Sequence, residues 1–175
     1  MKGTAKGDFH IFPIKAMTMD EYTETPDVIF VCVKDYSLED AITLADRVGN
    51  ADTVVIPILN IYGTGERMQR ALPDMTVTDG CIYVAATVSA PGEINHGGDI
   101  FRVVYGLRPG QKVSGTALRK LARTKADLDG AGMDGAYTDQ VKRDTFQKFM
   151  YTSPMAAAGE YFHAQAGVFQ QQGEP

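Results

Sequence analysis

The stretch Val54–Met68, VVIPILNIYGTGERM, constrains the fold more than any other part of this chain. It opens with a continuous apolar run, Val54 to Leu59, the pattern of a strand buried on both faces. A polar side chain, Asn60, ends the run. Gly63-Thr64-Gly65 then makes a tight turn, and a helical pattern starts at Glu66 with Arg67, Met68 and Ala71. A buried parallel strand that ends in a polar residue and turns on glycine into a helix forms one wall of a crevice. Open α/β sheets bind ligands outside the carboxyl ends of their strands. Asn60 is therefore expected to face a bound molecule; the competing reading is a simple turn-former.

The preceding segment repeats the pattern. Val28 to Val33, VIFVCV, is apolar throughout and is broken by Lys34. A helix follows, with Ser37 and Asp40 spaced as a capping box. Leu38, Ala41, Ile42, Ala45 and Val48 recur at helical spacing, and Gly49-Asn50 stops it. Strand, helix, strand and helix in succession call for parallel strands joined by right-handed crossovers. Upstream, Phe9 to Ile14 reads as an edge strand because Pro13 removes a ladder donor.

From Val77 a meander is expected. Val77–Val88 is interrupted at Asp79-Gly80, Ala90–Glu93 suits a type II turn, Ile94–His96 returns antiparallel, Gly97-Gly98-Asp99 turns again and Ile100–Tyr105 ends the sheet. Ser114 caps a helix whose inner face reads Ala117, Leu118, Leu121, Ala122, Lys125 and Leu128. Gly130–Gly135 reads as a loop. After Asp139 a helix carries Val141, Phe146, Phe149 and Met150 inward. Ser153-Pro154 either caps a second helix, Met155–Ala166, or kinks the first.

The 175 residues make one domain, or one and part of a second. A formal charge of −5 and a pI near 5.1 provide no electrostatic footprint for nucleic acid or an anionic membrane. The apolar runs fall well short of the roughly 20 residues that a spanning helix needs. Lys2 to Asp8 has no apolar core of the kind a secretion signal carries. Cys32 and Cys81 sit in strand-like runs and read as buried small hydrophobes of a reducing compartment, hence a cytoplasmic protein. His10, His96 and His163 are dispersed and make no metal set.

Three polar residues stand against apolar surroundings: Lys34 and Asn60 at the two strand ends, and Lys148 between Phe146 and Phe149. Desolvation drives a lysine towards its neutral form and brings its proton within reach of chemistry near pH 7. An asparagine beside it can orient a carbonyl or a nicotinamide amide. Taken singly, Lys34 also reads as an exposed strand-end charge, and Lys148 as a snorkelling surface lysine. Gly63-Thr64-Gly65 could hold an anion at a helix start, but an ordinary turn accounts for it.

In their order, the Lys34 strand, the Asn60 strand with its glycine turn, the Pro91-Gly92 hairpin, Gly97-Gly98 with Ile100–Gly106, and Arg143–Gly159 around Lys148 resemble ketopantoate reductase. The resemblance runs from about Asp8 to Gly167. It implies NADPH-dependent reduction of 2-dehydropantoate to pantoate, on the route to pantothenate and coenzyme A. It implies Lys148 as general acid, Lys34 and Asn60 at the cofactor, and Asn60 and Thr152 at the substrate.

The implied fold is α/β, with a Rossmann-like, mostly parallel sheet incomplete at its N-terminal side, followed by the start of an all-helical domain. Residues 1–138 would be a partial dinucleotide-binding domain, and residues 139–175 the beginning of the helical substrate domain. Departures accompany the match. No strand leads into a Gly-x-Gly-x-x-Gly turn, Ile61 stands where a glycine usually follows the asparagine, and Thr152 stands where many members have asparagine. A partial chain is expected on these grounds. A related NADP-dependent 2-oxo acid reductase is the alternative, as is a non-catalytic remnant that works by association. The open strand edge points to a homo-oligomer.

Overall fold

The computed structural model describes residues 2–3, 9–10 and 13–164. Its elements run β1 (Lys2–Gly3), β2 (Phe9–His10), β3 (Val28–Val31), α1 (Leu38–Val48), β4 (Val54–Pro57), α2 (Thr64–Ala71), β5 (Thr76–Val77), β6 (Asp79–Ala90), β7 (Glu93–Gly106), α3 (Gly115–Gly130), β8 (Asp134–Tyr137) and α4 (Val141–Phe162). The fold is mixed α/β and Rossmann-like. Strands β3, β4 and β5 form an all-parallel sheet in that order, with Val28 opposite Val54 and Val54 opposite Thr76. The chain passes at Thr78 into a second sheet, where β6 pairs antiparallel with β7 and β8 pairs parallel with β7.

β4 is buried at every position, as its unbroken apolar run requires. Its side chains alternate between two cores. Val55 packs with Leu38, Ala41, Ala45 and Met68 beneath α1 and α2. Val54 and Ile56 pack with Val103, Tyr105, Leu121 and Leu128 beneath α3. Helices on both faces of a central strand make the doubly wound layering that aims the carboxyl ends of β3 and β4 at one edge.

β3 behaves differently. Phe30 is 39% exposed and Cys32 is exposed, because no described strand pairs with the outer edge of β3. The expectation that both cysteines are buried holds for Cys81 alone.

Several local expectations are corrected. Ser37 makes no side-chain cap bond: Asp35–Ser37 winds into a 3₁₀ turn and leaves Ser37 at φ −108°, ψ 11°, outside the extended conformation a capping serine needs. Ser114 does cap α3, accepting from the Ala117 N–H at 3.1 Å. The inner face of α3 is Ala117, Leu121, Thr124 and Leu128, and Leu118, Ala122 and Lys125 face outward. Gly97-Gly98-Asp99 is no turn between strands. β7 continues through it, with the pairing jumping from Val84–Phe101 to Ala85–Gly97 and Gly98 taking φ 73°, so the expected meander is one long hairpin with a bulge.

Gly130–Gly135 is only partly a loop, since β8 starts at Asp134. This segment, Gly-Ala-Gly-Met-Asp-Gly, has the letters of a dinucleotide fingerprint. It leads out of a helix into a strand, however, the reverse of the strand-to-helix turn that cradles a pyrophosphate. α4 runs unbroken through Pro154 as one helix of 22 residues. No helix among the described residues is long and apolar enough to cross a membrane.

Candidate functional site

Asn60 lies just beyond β4. Ile58 and Leu59 remain buried after the ladder ends, with the Ile58 N–H donating to the Val31 carbonyl at 3.0 Å, so the chain reaches Asn60 held on both sides. Gly63, at φ 85°, reverses it into α2. The Thr64 hydroxyl donates to the Ile61 carbonyl at 3.0 Å and ties the turn to the helix. Gly65 then lies so close to the Thr78 carbonyl and the Asp79 carboxylate that a Cβ there would overlap both. A glycine pair that reads as an ordinary turn thus has two different tasks: one supplies a left-handed backbone and the other admits a close approach.

Lys148 comes from α4. The helix packs on the sheet through Val141, Thr145 and Lys148, with Lys148 only 7% exposed. The expected inward faces of Phe146 and Met150 are 45% and 55% exposed. The aromatic residues instead flank the contact, with the Tyr62 ring 5.4 Å from Phe146 and 6.2 Å from Phe149. Apolar residues next to Lys148 in sequence suggested the wrong stripe: positions 141, 145, 148 and 152 share the sheet-facing side, and three of the four are polar.

There the Lys148 Nζ donates to Asn60 Oδ1 at 2.6 Å. The amine also lies over the Tyr83 ring, 5.5 Å from its centre. Burial holds the Lys148 amine below the ordinary lysine range, while the neighbouring Cys81 acts in the opposite direction. Leu59, Asn60, Ile61, Tyr62, Thr145, Phe149 and Thr152 line a tight recess around the amine, together with Gly80 and Cys81 of β6. The Thr152 hydroxyl donates to the Lys148 carbonyl at 3.0 Å, so its proton is engaged within the helix and its oxygen is left as an acceptor.

Lys34 is exposed and lies on a neighbouring groove of about 300 Å³, lined by Cys32, Val33, Asp35, Ile58, Leu59, Asn60, Ile61 and Ile82. Leu59, Asn60 and Ile61 belong to both cavities and join them. The structure therefore brings Lys148 and Asn60 into direct contact, sets Thr152 in the same recess and places Lys34 on the adjoining groove. That groove opens at the carboxyl ends of β3 and β4, has a size at the lower end of small-molecule sites and carries a cation at its rim, which suits a ligand with an anionic group such as the phosphates of a dinucleotide.

Sequence reading missed a buried polar cluster behind this site. Arg108 pairs with Asp79 at 3.0 Å, their side chains 11% and 9% exposed, and also donates to the Val77 carbonyl at 2.9 Å. Gln69 of α2 accepts from the Val77 N–H and from Gln111. The cluster joins α2, the strand crossing at Thr78 and the segment after β7. Its members are distant in sequence and each looks like a surface residue, so only the fold reveals it.

The family model of ketopantoate reductase PanE/ApbA matches residues 1–110. The chain belongs to the ketopantoate reductase family. It is 28% identical over 162 residues to a 2-dehydropantoate 2-reductase of Aquifex aeolicus, covering 92% of this chain and 51% of the relative. Among solved structures, 2-dehydropantoate 2-reductase of Methylococcus capsulatus matches with a TM-score of 0.77 and 24% identity, over 94% of this chain and 52% of that one. The Porphyromonas gingivalis enzyme matches with a TM-score of 0.70 and 30% identity, over 84% and 50%. The chain spans about half the length of the relatives it matches. The family is one of oxidoreductases.

Proposed function

We propose that this chain carries the catalytic centre of an NADPH-dependent reductase that converts 2-dehydropantoate to pantoate. Lys148 is the proton donor, and the observation that carries the reading is its 2.6 Å contact with Asn60. An ammonium held against an amide oxygen in a desolvated recess is fixed in direction, and its lowered proton affinity eases transfer to a developing alkoxide. Asn60 retains its amide N–H groups for the substrate or the nicotinamide. Lys34 offers its cation to the cofactor at the groove rim, and Thr152 offers an acceptor to the substrate. The bound cofactor supplies the hydride. The same reading places the protein in the cytoplasm.

A second reading is a different 2-oxo acid. It is supported by the apolar recess walls, Leu59, Ile61, Tyr62 and Phe149, and by a Thr152 proton already committed to the helix. The outer edge of β3, with which no described strand pairs, supports a further proposal, association with a second copy. Loss of reduced-nicotinamide absorbance with 2-dehydropantoate, measured beside a panel of other 2-oxo acids, tests the function. Faster turnover of another acid selects the second reading, and no turnover of any acid refutes both. Size-exclusion chromatography tests the association.

A further inference from the structure

Lys148 needs more than Asn60. A buried ammonium has three N–H donors, and Asn60 Oδ1 takes one of them. What stabilises the rest must come from the elements packed on α4. From β6, Cys81 and Tyr83 point to the same side, two residues apart on the strand. From β7 comes Arg102, and from α4 itself Asp144; both act on Cys81 and Tyr83. Cys81 is 2% exposed, and burial pushes its thiol up, so its pull on the ammonium belongs to the thiolate at alkaline pH and near neutral pH it provides no counter-ion. Tyr83 is half-buried, and its hydroxyl is likewise held neutral by burial. Its ring face remains: the Lys148 Nζ lies over it, 5.5 Å from the centre, inside the range at which an aromatic face attracts a cation.

We propose that Tyr83 is a positioning residue for Lys148, its ring face taking one side of the ammonium so that Asn60 and the ring together direct the remaining N–H into the recess. Tyr83 is not one of the residues lining the recess and so acts through the amine. The Asn60 oxygen, as the acceptor of a charge-assisted bond, already favours the charged amine over the uncharged one. A ring face also favours the charged form, which keeps a proton available on a desolvated lysine. The inference deepens the proposed role of Lys148 in proton transfer and rests on it.

The test is a titration of the full chain carrying ¹³Cε-labelled lysine, followed by NMR. The Lys148 signal is assigned by its loss in Lys148→Arg. Replacing Tyr83 by phenylalanine leaves the midpoint unchanged, and Tyr83→Leu lowers it by about 0.4–1.5 pH units, the shift equivalent to a cation–ring attraction. Phenylalanines bearing successively more fluorine atoms at position 83, which keep the shape and weaken the ring field, lower it stepwise and cover the case in which Tyr83→Leu does not fold. A flat fluorine series, or a phenylalanine variant that shifts as far as leucine, overturns the proposal. Because the titration needs no turnover, a graded series in a protein that reduces no 2-oxo acid refutes the proton-transfer reading while the contact stands. A flat series in an active reductase refutes the Tyr83 inference alone.

Discussion

Lys148 and Asn60 are 88 positions apart in the chain, yet their side chains meet at 2.6 Å. The contact ties the middle of α4 to the carboxyl end of β4, so it is both a docking point for the helix and the centre of the proposed chemistry. In the reductase assay, Lys148→Ala is expected to lower kcat by about 10²–10⁴-fold, the range for a lost general acid, with a smaller change in KM. Equal residual kcat in wild type and variant would remove Lys148 from the reaction.

The same lysine has a signature in stability. Its proton affinity is lowered on folding, so between its folded pKa and the ordinary lysine value the unfolded chain binds the extra proton. Stability contributed by this group therefore rises with pH across that window, and below the folded pKa the full cost of burying the charge is present. Lys148→Met is expected to raise the melting temperature near pH 7, by about 2–4 °C for each kcal/mol relieved, and to lose the rise at alkaline pH. Parallel thermal melts across the window decide it.

Gly63 and Gly65 separate two kinds of glycine requirement. Gly63 has a left-handed backbone with open space around it, so Gly63→Ala is expected to cost about 1–2 kcal/mol in backbone strain. Gly65→Ala drives a methyl into the Thr78 carbonyl and Asp79, and is expected to cost about 1–3 kcal/mol and to displace α2. Urea denaturation gives both values. Activity falls in the Gly65 variant more than in the Gly63 variant if the position of α2 sets that of Asn60.

Arg108 and Asp79 form a buried pair, and removing one partner leaves a desolvated charge. Asp79→Ala is expected to destabilise by about 3–5 kcal/mol. Arg108→Met costs less than Asp79→Ala if Gln111 keeps its bond to the Val77 carbonyl, which it makes at 2.9 Å. A double-mutant cycle in denaturant reads the coupling directly.

Where local periodicity decides the outcome, the sequence is a good guide. The helix Leu38–Val48 buries all five of its expected residues, because an amphipathic stripe one turn apart can pack in only one orientation against a sheet. Val54–Leu59 is buried throughout for the same kind of reason, having no polar face to offer water. The strand Asp134–Tyr137 is not legible in this way. Its glycine and aspartate carry little strand preference, and its place beside β7 comes from the crossover through α3.

The candidate site divides along the same line. That a buried apolar run closes on Asn60 and that a glycine turn follows can be read along the chain, since both features depend on near neighbours. Which face of α4 meets the sheet, that Lys148 is the amine reaching Asn60 while Lys34 stays at the groove rim, and that the Tyr83 ring lies beneath Lys148 all follow from how distant elements pack. The physical reason is the range of the forces involved. Strand and turn patterns follow from sterics and hydrophobicity over a few residues. The surroundings of a buried charge are assembled from elements whose separation in sequence carries no trace of their contact.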